Sequence, residues 1–249
     1  MKIIYAEENI FTNEEYKLFE KYCKNNKILL KKESINKLFE LSKNNQIKYL
    51  WGSVNSHNIL NIEEFINFPS YTERFPKQYI NSTFFLNENS EYKFIFQLEK
   101  FDGEKFIKPY HGDKLFSGGL YSYEDILEMN LRPYTYIVLN EPKELGKEVR
   151  FIIHNGKIIS GATYIKENRN KVLPFEYSEN SSPKEELELI QDFISNNCQN
   201  YISNVDKTIT MDITFFKNKD FKIVEFNSFW AAGLYGNDPS EILKTIIES

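Results

Sequence analysis

The stretch that decides the fold is TITMDITFFKNKDFKIVEFNSFW, residues 208–230. Two runs that alternate apolar and polar residues, 207–216 and 221–227, flank a polar turn at 217–220. Period-two alternation predicts strands, and the short turn predicts an antiparallel hairpin. Such a hairpin brings Asp212 close to Glu225 and Asn227 across the ladder. Val224 and Phe226 alternate with Glu225 and Asn227, so the two polar groups share one face. Three oxygen-bearing side chains on paired strands form a partial cage for a hard divalent cation such as magnesium. The competing reading is three ordinary polar residues on a half-exposed hairpin.

Upstream, FIKPYHGDKLFSGG (106–119) places Lys108 at a strand end, followed by a glycine-containing loop. Backbone amides of such loops approach phosphates closely, and lysine adds a point charge. Neither GxxxxGK[ST] nor GxGxxG is present, so an ordinary loop remains the competing reading. Lys105 and Lys114 have weaker claims on the same role. Between loop and hairpin, LNEPKELGKEVRF (139–151) carries Glu141, then Glu148 seven residues on, then Arg150. Glu148 and Arg150 fall on one face of one strand. They read either as a plain ion pair or as a ribose acceptor beside a cation aimed at a transferring phosphate.

The rest of the chain supplies a frame. Residues 2–6 and 47–51 read as strands, 13–25 as a helix with Thr12 and Glu15 as a capping box, and Ser34 as the cap of a second helix. Strand, helix, helix, strand predicts a small N-terminal α/β lobe over 1–75. Further strands are expected at 93–98, 104–110 and 135–140, and a helix at 122–130. Asn155-Gly156 turns a hairpin over 148–165, and capped helices start at Ser182 and Asp238. The expected division is 1–75, 76–135 and 136–249.

Composition excludes several classes. The 249 residues are 41% hydrophobic with a formal net charge of −5, which is not the profile of an electrostatic nucleic-acid binder. The two cysteines, Cys23 and Cys198, form no CxxC pair and fall in helical segments, so they are expected as buried small hydrophobes, without zinc or a disulfide framework. No opening signal segment and no membrane-spanning apolar run are read, and a cytoplasmic setting is expected.

In this order, over roughly residues 80–235, the three features resemble the ATP-grasp superfamily of carboxylate–amine ligases. The resemblance implies an α+β fold in which a small α/β lobe precedes two α+β lobes that sandwich ATP. It implies that Lys108, Lys114 and the Ser117-Gly118-Gly119 loop contact the ATP phosphates, that Glu141 lies by the adenine, and that Glu148 binds the ribose. It implies two magnesium ions held by Asp212, Glu225 and Asn227. Many members carry arginine two residues before the first acid; here that position is Thr210, and Arg150 takes over its charge. A Gly-Ser-Val turn like Gly52-Ser53-Val54 is similar to that of a small phage and bacterial branch.

The implied reaction activates a carboxylate as an acyl phosphate and joins it to an amine, as in peptide or protein modification. Lys108 and Arg150 are the expected catalytic residues. Carboxylate and amine substrates are the expected partners, without nucleic acid or membrane, and with a homodimer left open. Ser53, Ser228, Trp230 and Tyr235 are substrate candidates, with structural turns and packing as the competing readings. His57, His111 and His154 are scattered, and only His111 lies in the phosphate loop. The rival functions are a phosphotransferase without a ligase step and a nucleotide-binding module without catalysis.

Overall fold

The computed structural model describes residues 2–44, 46–53, 56, 60, 82–110, 115–143, 145–165, 184–198, 208–216 and 220–248. Val54, His57, His111 and Lys114 lie outside the described residues. Three sheets follow one another along the chain.

The first sheet has β1 (Ile3–Glu7), β2 (Leu29–Glu33) and β3 (Tyr49–Trp51) in the order β2-β1-β3, all parallel. Helices α1 (Asn13–Asn25) and α2 (Ile35–Ser42) make the crossovers that parallel pairing needs. Each starts where the sequence predicts. Thr12 and Glu15 form the reciprocal capping box of α1, and Ser34 accepts from the Lys37 amide at the head of α2. Strand β2 was not expected between the helices. It is an edge strand carrying Lys31 and Lys32, and its half-buried pattern hides the strand period.

The second sheet contains β4 (Glu91–Phe94), β5 (Lys105–Pro109), β6 (Gly119–Tyr121) and β7 (Tyr136–Asn140) in the order β4-β7-β5-β6, all antiparallel. Helix α3 (Tyr123–Glu128) follows β6, capped by Ser122. Ile107, Ile126, Ile137 and Leu139 form the core beneath it. Strand β7 sits between β4 and β5, so this sheet continues through Asn140 and an expected division between 135 and 136 cuts it.

The third sheet has β8 (Lys147–His154), β9 (Lys157–Ile165), β10 (Thr208–Phe215) and β11 (Phe221–Ser228) in the order β11-β10-β8-β9. Its two central strands have a strict binary pattern. Val149, Phe151 and Ile153 on β8, with Ile209, Met211, Ile213 and Phe215 on β10, pack against Ile190 and Phe193 of helix α4 (Lys184–Phe193). A π-helical turn, Ile194–Cys198, extends α4 and buries Cys198 in the same core. The opposite face carries Glu148, Arg150, Ile152 and His154 from β8 and Thr208, Thr210, Asp212 and Thr214 from β10. Over part of that face pack Phe229, Trp230, Leu234, helix α5 (Pro239–Glu248) and the N-terminal lobe through Phe19, Tyr22 and Trp51. Among the described residues, no helix is long and apolar enough to cross a membrane.

Candidate active site

The hairpin forms in the expected register. Asp212 pairs with Glu225 and Thr210 with Asn227 across β10 and β11. A bulge follows: Ile213 pairs with Ile223, which leaves Val224 as the extra residue. This bulge sets the chemistry of the strand. Phe221, Ile223 and Phe226 all reach the apolar core, while Glu225 stays in line with Asp212 on the polar face. Without the extra residue, Ile223 and Glu225 would share a face.

Arg150 of β8 stands directly opposite Asp212 on the other side of β10. Its Nε donates to Asp212 Oδ1 at 2.7 Å and its Nη2 to Oδ2 at 2.6 Å, a bidentate pair. Glu225 Oε1 lies 3.9 Å from the same Nη2 and accepts from Asn227 Nδ2 at 2.9 Å. The remaining guanidinium edge is also fixed: Nη1 donates to the Gly233 carbonyl at 2.9 Å, and the Tyr235 ring covers the guanidinium at 4.0 Å. Tyr235 holds a left-handed backbone, with φ of 49°, to present its ring there. Arg150 and Asp212 are almost fully buried, whereas the Glu225 side chain keeps 35% of its surface exposed.

The electrostatics follow from this burial. Loss of water pushes the Asp212 carboxyl above the ordinary carboxylate range; Arg150 pulls it back and Glu225 pushes it further. Burial alone would weaken the charge on Arg150, but attraction and hydrogen bonding from Asp212 outweigh it, and the guanidinium stays fully charged. Burial likewise raises the Tyr235 phenol, against the pull of Arg150. Asp212, Glu225 and Asn227 offer only oxygen atoms to a cation, because the Asn227 amide nitrogen donates to Glu225. Oxygen donors of this kind suit a hard cation, and of the two carboxylates Glu225 is the one that faces solvent. Among the described residues, no three His, Cys, Asp or Glu side chains gather as a metal cluster.

Lys108 pairs with Val138 in the second sheet, on the face opposite the Ile107 core. Gly118 lies beside its side chain. The expected glycine loop is shorter than its sequence suggests, because Gly119 already belongs to β6 and pairs with Ile107. Ser117 is anchored through its carbonyl, which accepts from the Tyr121 hydroxyl at 2.7 Å. Glu148 is buried on the polar face of the third sheet, opposite Thr214 and two residues from Arg150. Glu141 turns to Lys105, on the face of β5 opposite Lys108, and its side chain is largely exposed. The two borders a cleft of about 170 Å³ that also includes Leu98, Phe101 and Leu139.

One residue escapes the sequence reading. Asn140, at the end of β7, pairs with Phe106 and so shares the Lys108 face. Its Oδ1 accepts from Ser90 at 2.8 Å, but its buried Nδ2 finds no partner among the described residues. An unmet buried donor at this place suits a ligand acceptor. The only signal in the sequence is its position immediately before Glu141.

Of the substrate candidates, only Tyr235 reaches the site. Trp230 is buried against Tyr49, and its carbonyl accepts from the Gly52 amide, so packing claims it. Ser228 pairs with Ile209 on the core-facing side of the sheet. Ser53 caps a local turn, its hydroxyl 2.9 Å from that of Ser56, while its amide donates to Glu7. His154 is buried in the sheet, with Thr208 and Asn155 as ring partners.

This arrangement defines a class. The chain belongs to the ATP-grasp superfamily: the family model "ATP-grasp domain, R2K clade family 2" matches residues 88–245. The fold is similar to that of D-alanine–D-alanine ligase from Bacillus anthracis complexed with ATP. The TM-score is 0.58 at 14% identity, over 100% of this chain and 97% of that one. It is also similar to D-cycloserine synthetase, with a TM-score of 0.63 at 7% identity over 100% and 99% of the two chains. L-amino acid ligase from Bacillus licheniformis aligns with a TM-score of 0.53 at 12% identity, over 92% of this chain and 67% of that one. At these identities the likeness is one of fold. No curated protein sequence matches the chain.

Proposed function

We propose that this protein is an ATP-dependent, ADP-forming ligase that activates a carboxylate as an acyl phosphate and joins it to an amine. The observation that carries the reading is the buried Arg150, tied to Asp212 beside Glu225 and Asn227 on one face of one sheet. A fixed cation next to an oxygen-rich metal set is what an anionic acyl phosphate and a polyphosphate both require. The ligase names of the similar folds point the same way.

In this reading Lys108 and the 115–118 segment hold the ATP phosphates, with Lys114 adding charge from the same loop. Glu148 accepts from the ribose hydroxyls. Magnesium, when bound by Asp212, Glu225 and Asn227, neutralises the polyphosphate. A substrate carboxylate oxygen attacks the γ-phosphorus, the bond from phosphorus to the β,γ-bridging oxygen breaks, and ADP leaves. The amine nitrogen then attacks the acyl carbon, the carbon–oxygen bond to phosphate breaks, and phosphate departs carrying the proton that the nitrogen loses. Arg150 stabilises the acyl phosphate and the tetrahedral oxyanion through donors fixed in advance by Asp212, Gly233 and Tyr235. Glu141, exposed against Lys105, lies by the adenine in this reading. The substrates are small-molecule or peptide acids and amines, and the setting is cytoplasmic.

Hydroxylamine tests the reading. With ATP, magnesium and a panel of amino acids and peptides, a ligase forms acyl hydroxamate together with ADP. ADP formation with a stable phosphorylated product and no hydroxamate identifies a phosphotransferase instead.

A further inference from the structure

We propose that Glu15, in the N-terminal lobe, is a positioning residue for Arg150, acting through the single peptide group that joins Gly233 to Leu234. The N–H of that peptide donates to Glu15 Oε1 at 2.7 Å, and its carbonyl accepts from Arg150 Nη1 at 2.9 Å. The two hydrogen bonds leave opposite edges of one planar trans peptide. Its dipole therefore runs from the carboxylate to the guanidinium, and each bond polarises the other. Glu15 is itself buried and fixed: Oε2 accepts from both the amide and the hydroxyl of Thr12 at 3.1 Å. Residue 233 is tightly enclosed by the same groups: a Cβ there would lie 3.0 Å from the Tyr235 ring and 3.2 Å from Glu15 Oε1. The first turn of α1 thus sets the height of the loop that holds Arg150, although the two residues come from different lobes.

The capping box alone explains the bond between Glu15 and Thr12. It does not explain why the other oxygen of the same carboxylate is spent 219 residues away, on a peptide whose carbonyl holds Arg150. Positioning explains both. Its kinetic consequence rests on the ligase reading, while its structural consequence does not.

The test compares Glu15→Gln with Ser34→Ala. The first removes the charge and sets an amide donor against the Thr12 donors. The second removes the cap of α2 in the same lobe, with no link to Arg150. Two readouts are used: the Arg150 Nε–H resonance in 15N-labelled protein, assigned by its loss in Arg150→Lys, and the steady-state kinetics. Glu15→Gln is expected to shift or broaden the resonance and to lower kcat about 10- to 100-fold with KM for ATP unchanged. Ser34→Ala is expected to lower stability and leave both readouts alone. If Glu15→Gln folds poorly, Glu15→Asp keeps the charge but falls short of Leu234, and the same shift is expected. An unmoved resonance, a moved one with unchanged kcat, or an equal response to Ser34→Ala overturns the proposal. A wild-type protein with no ATP turnover sinks the ligase reading alone, and the resonance then decides the role of Glu15.

Discussion

Arg150 and Asp212 face each other on adjacent strands and share two hydrogen bonds, both at 2.7 Å or less, in a setting almost without water. Every other contact of the site is arranged around this pair. Breaking a buried pair from one side leaves the other charge uncompensated, at a cost of about 3–5 kcal/mol. Asp212→Asn is therefore expected to destabilise the protein by about that amount in chemical denaturation. Glu225→Gln, at a half-exposed position, is expected to cost less than about 1 kcal/mol. Both variants are expected to lose magnesium-dependent ATP turnover, so Glu225→Gln is the cleaner probe of the metal site. Retained turnover in Glu225→Gln contradicts the assignment.

Arg150→Lys keeps the charge and loses the fork. A lysine cannot make the bidentate pair with Asp212 and reach the Gly233 carbonyl at the same time. The expected outcome is a kcat lowered about 100- to 1000-fold, the usual effect of losing a fixed oxyanion donor. KM for ATP should change little, because Arg150 is assigned to the acyl phosphate. Steady-state kinetics with a substrate found in the hydroxamate screen reads this split. A large rise in KM with unchanged kcat contradicts the role.

Gly146 marks a second intolerant position. It lies where the chain leaves the second sheet for the third, and its amide donates to Thr214 Oγ1 at 3.2 Å. A Cβ there would fall on the Phe215 carbonyl oxygen, so the backbones must separate to admit one. Gly146→Ala is expected to destabilise by about 3 kcal/mol or more. Thermal unfolding checks it, and a Tm equal to wild type contradicts the close approach.

How much of this was legible beforehand follows from the range of each interaction. The hairpin, the capping box at Thr12, the cap at Ser34 and the Asn155-Gly156 turn are local, and their spacing alone specifies them. The partner of Arg150 was not legible in this way. Glu148 sits two residues away on the same face, but the guanidinium pairs with Asp212, 62 residues on. Strand pairing decides that choice. The bulge at Val224 was invisible for a related reason, since it is defined by the pairing of β11 with β10. Trp230 and Tyr235 looked alike as aromatics in one loop. Tertiary packing buries the first under the N-terminal lobe and lays the second on Arg150.

The two thiols give a pH dependence unrelated to catalysis. Burial raises Cys23 from 9.0 to about 11 and Cys198 from 9.0 to about 12. Below pH 9 both folded and unfolded chains hold these protons, and the groups are silent. Above it the unfolded chain releases protons that the folded chain keeps, so stability falls as pH rises toward 11 and 12. Between pH 9 and 10 the wild type is expected to lose about 1 kcal/mol more than Cys198→Ala. Parallel stability curves for the two proteins contradict this.

The most direct measurement of the central claim follows an oxygen atom. An acid substrate labelled with 18O in its carboxylate is turned over with ATP, magnesium and its amine partner, and the products are read by 31P NMR. Attack of the carboxylate on the γ-phosphorus predicts ADP and inorganic phosphate carrying one 18O. Phosphate without label, or AMP with pyrophosphate, contradicts the acyl phosphate route.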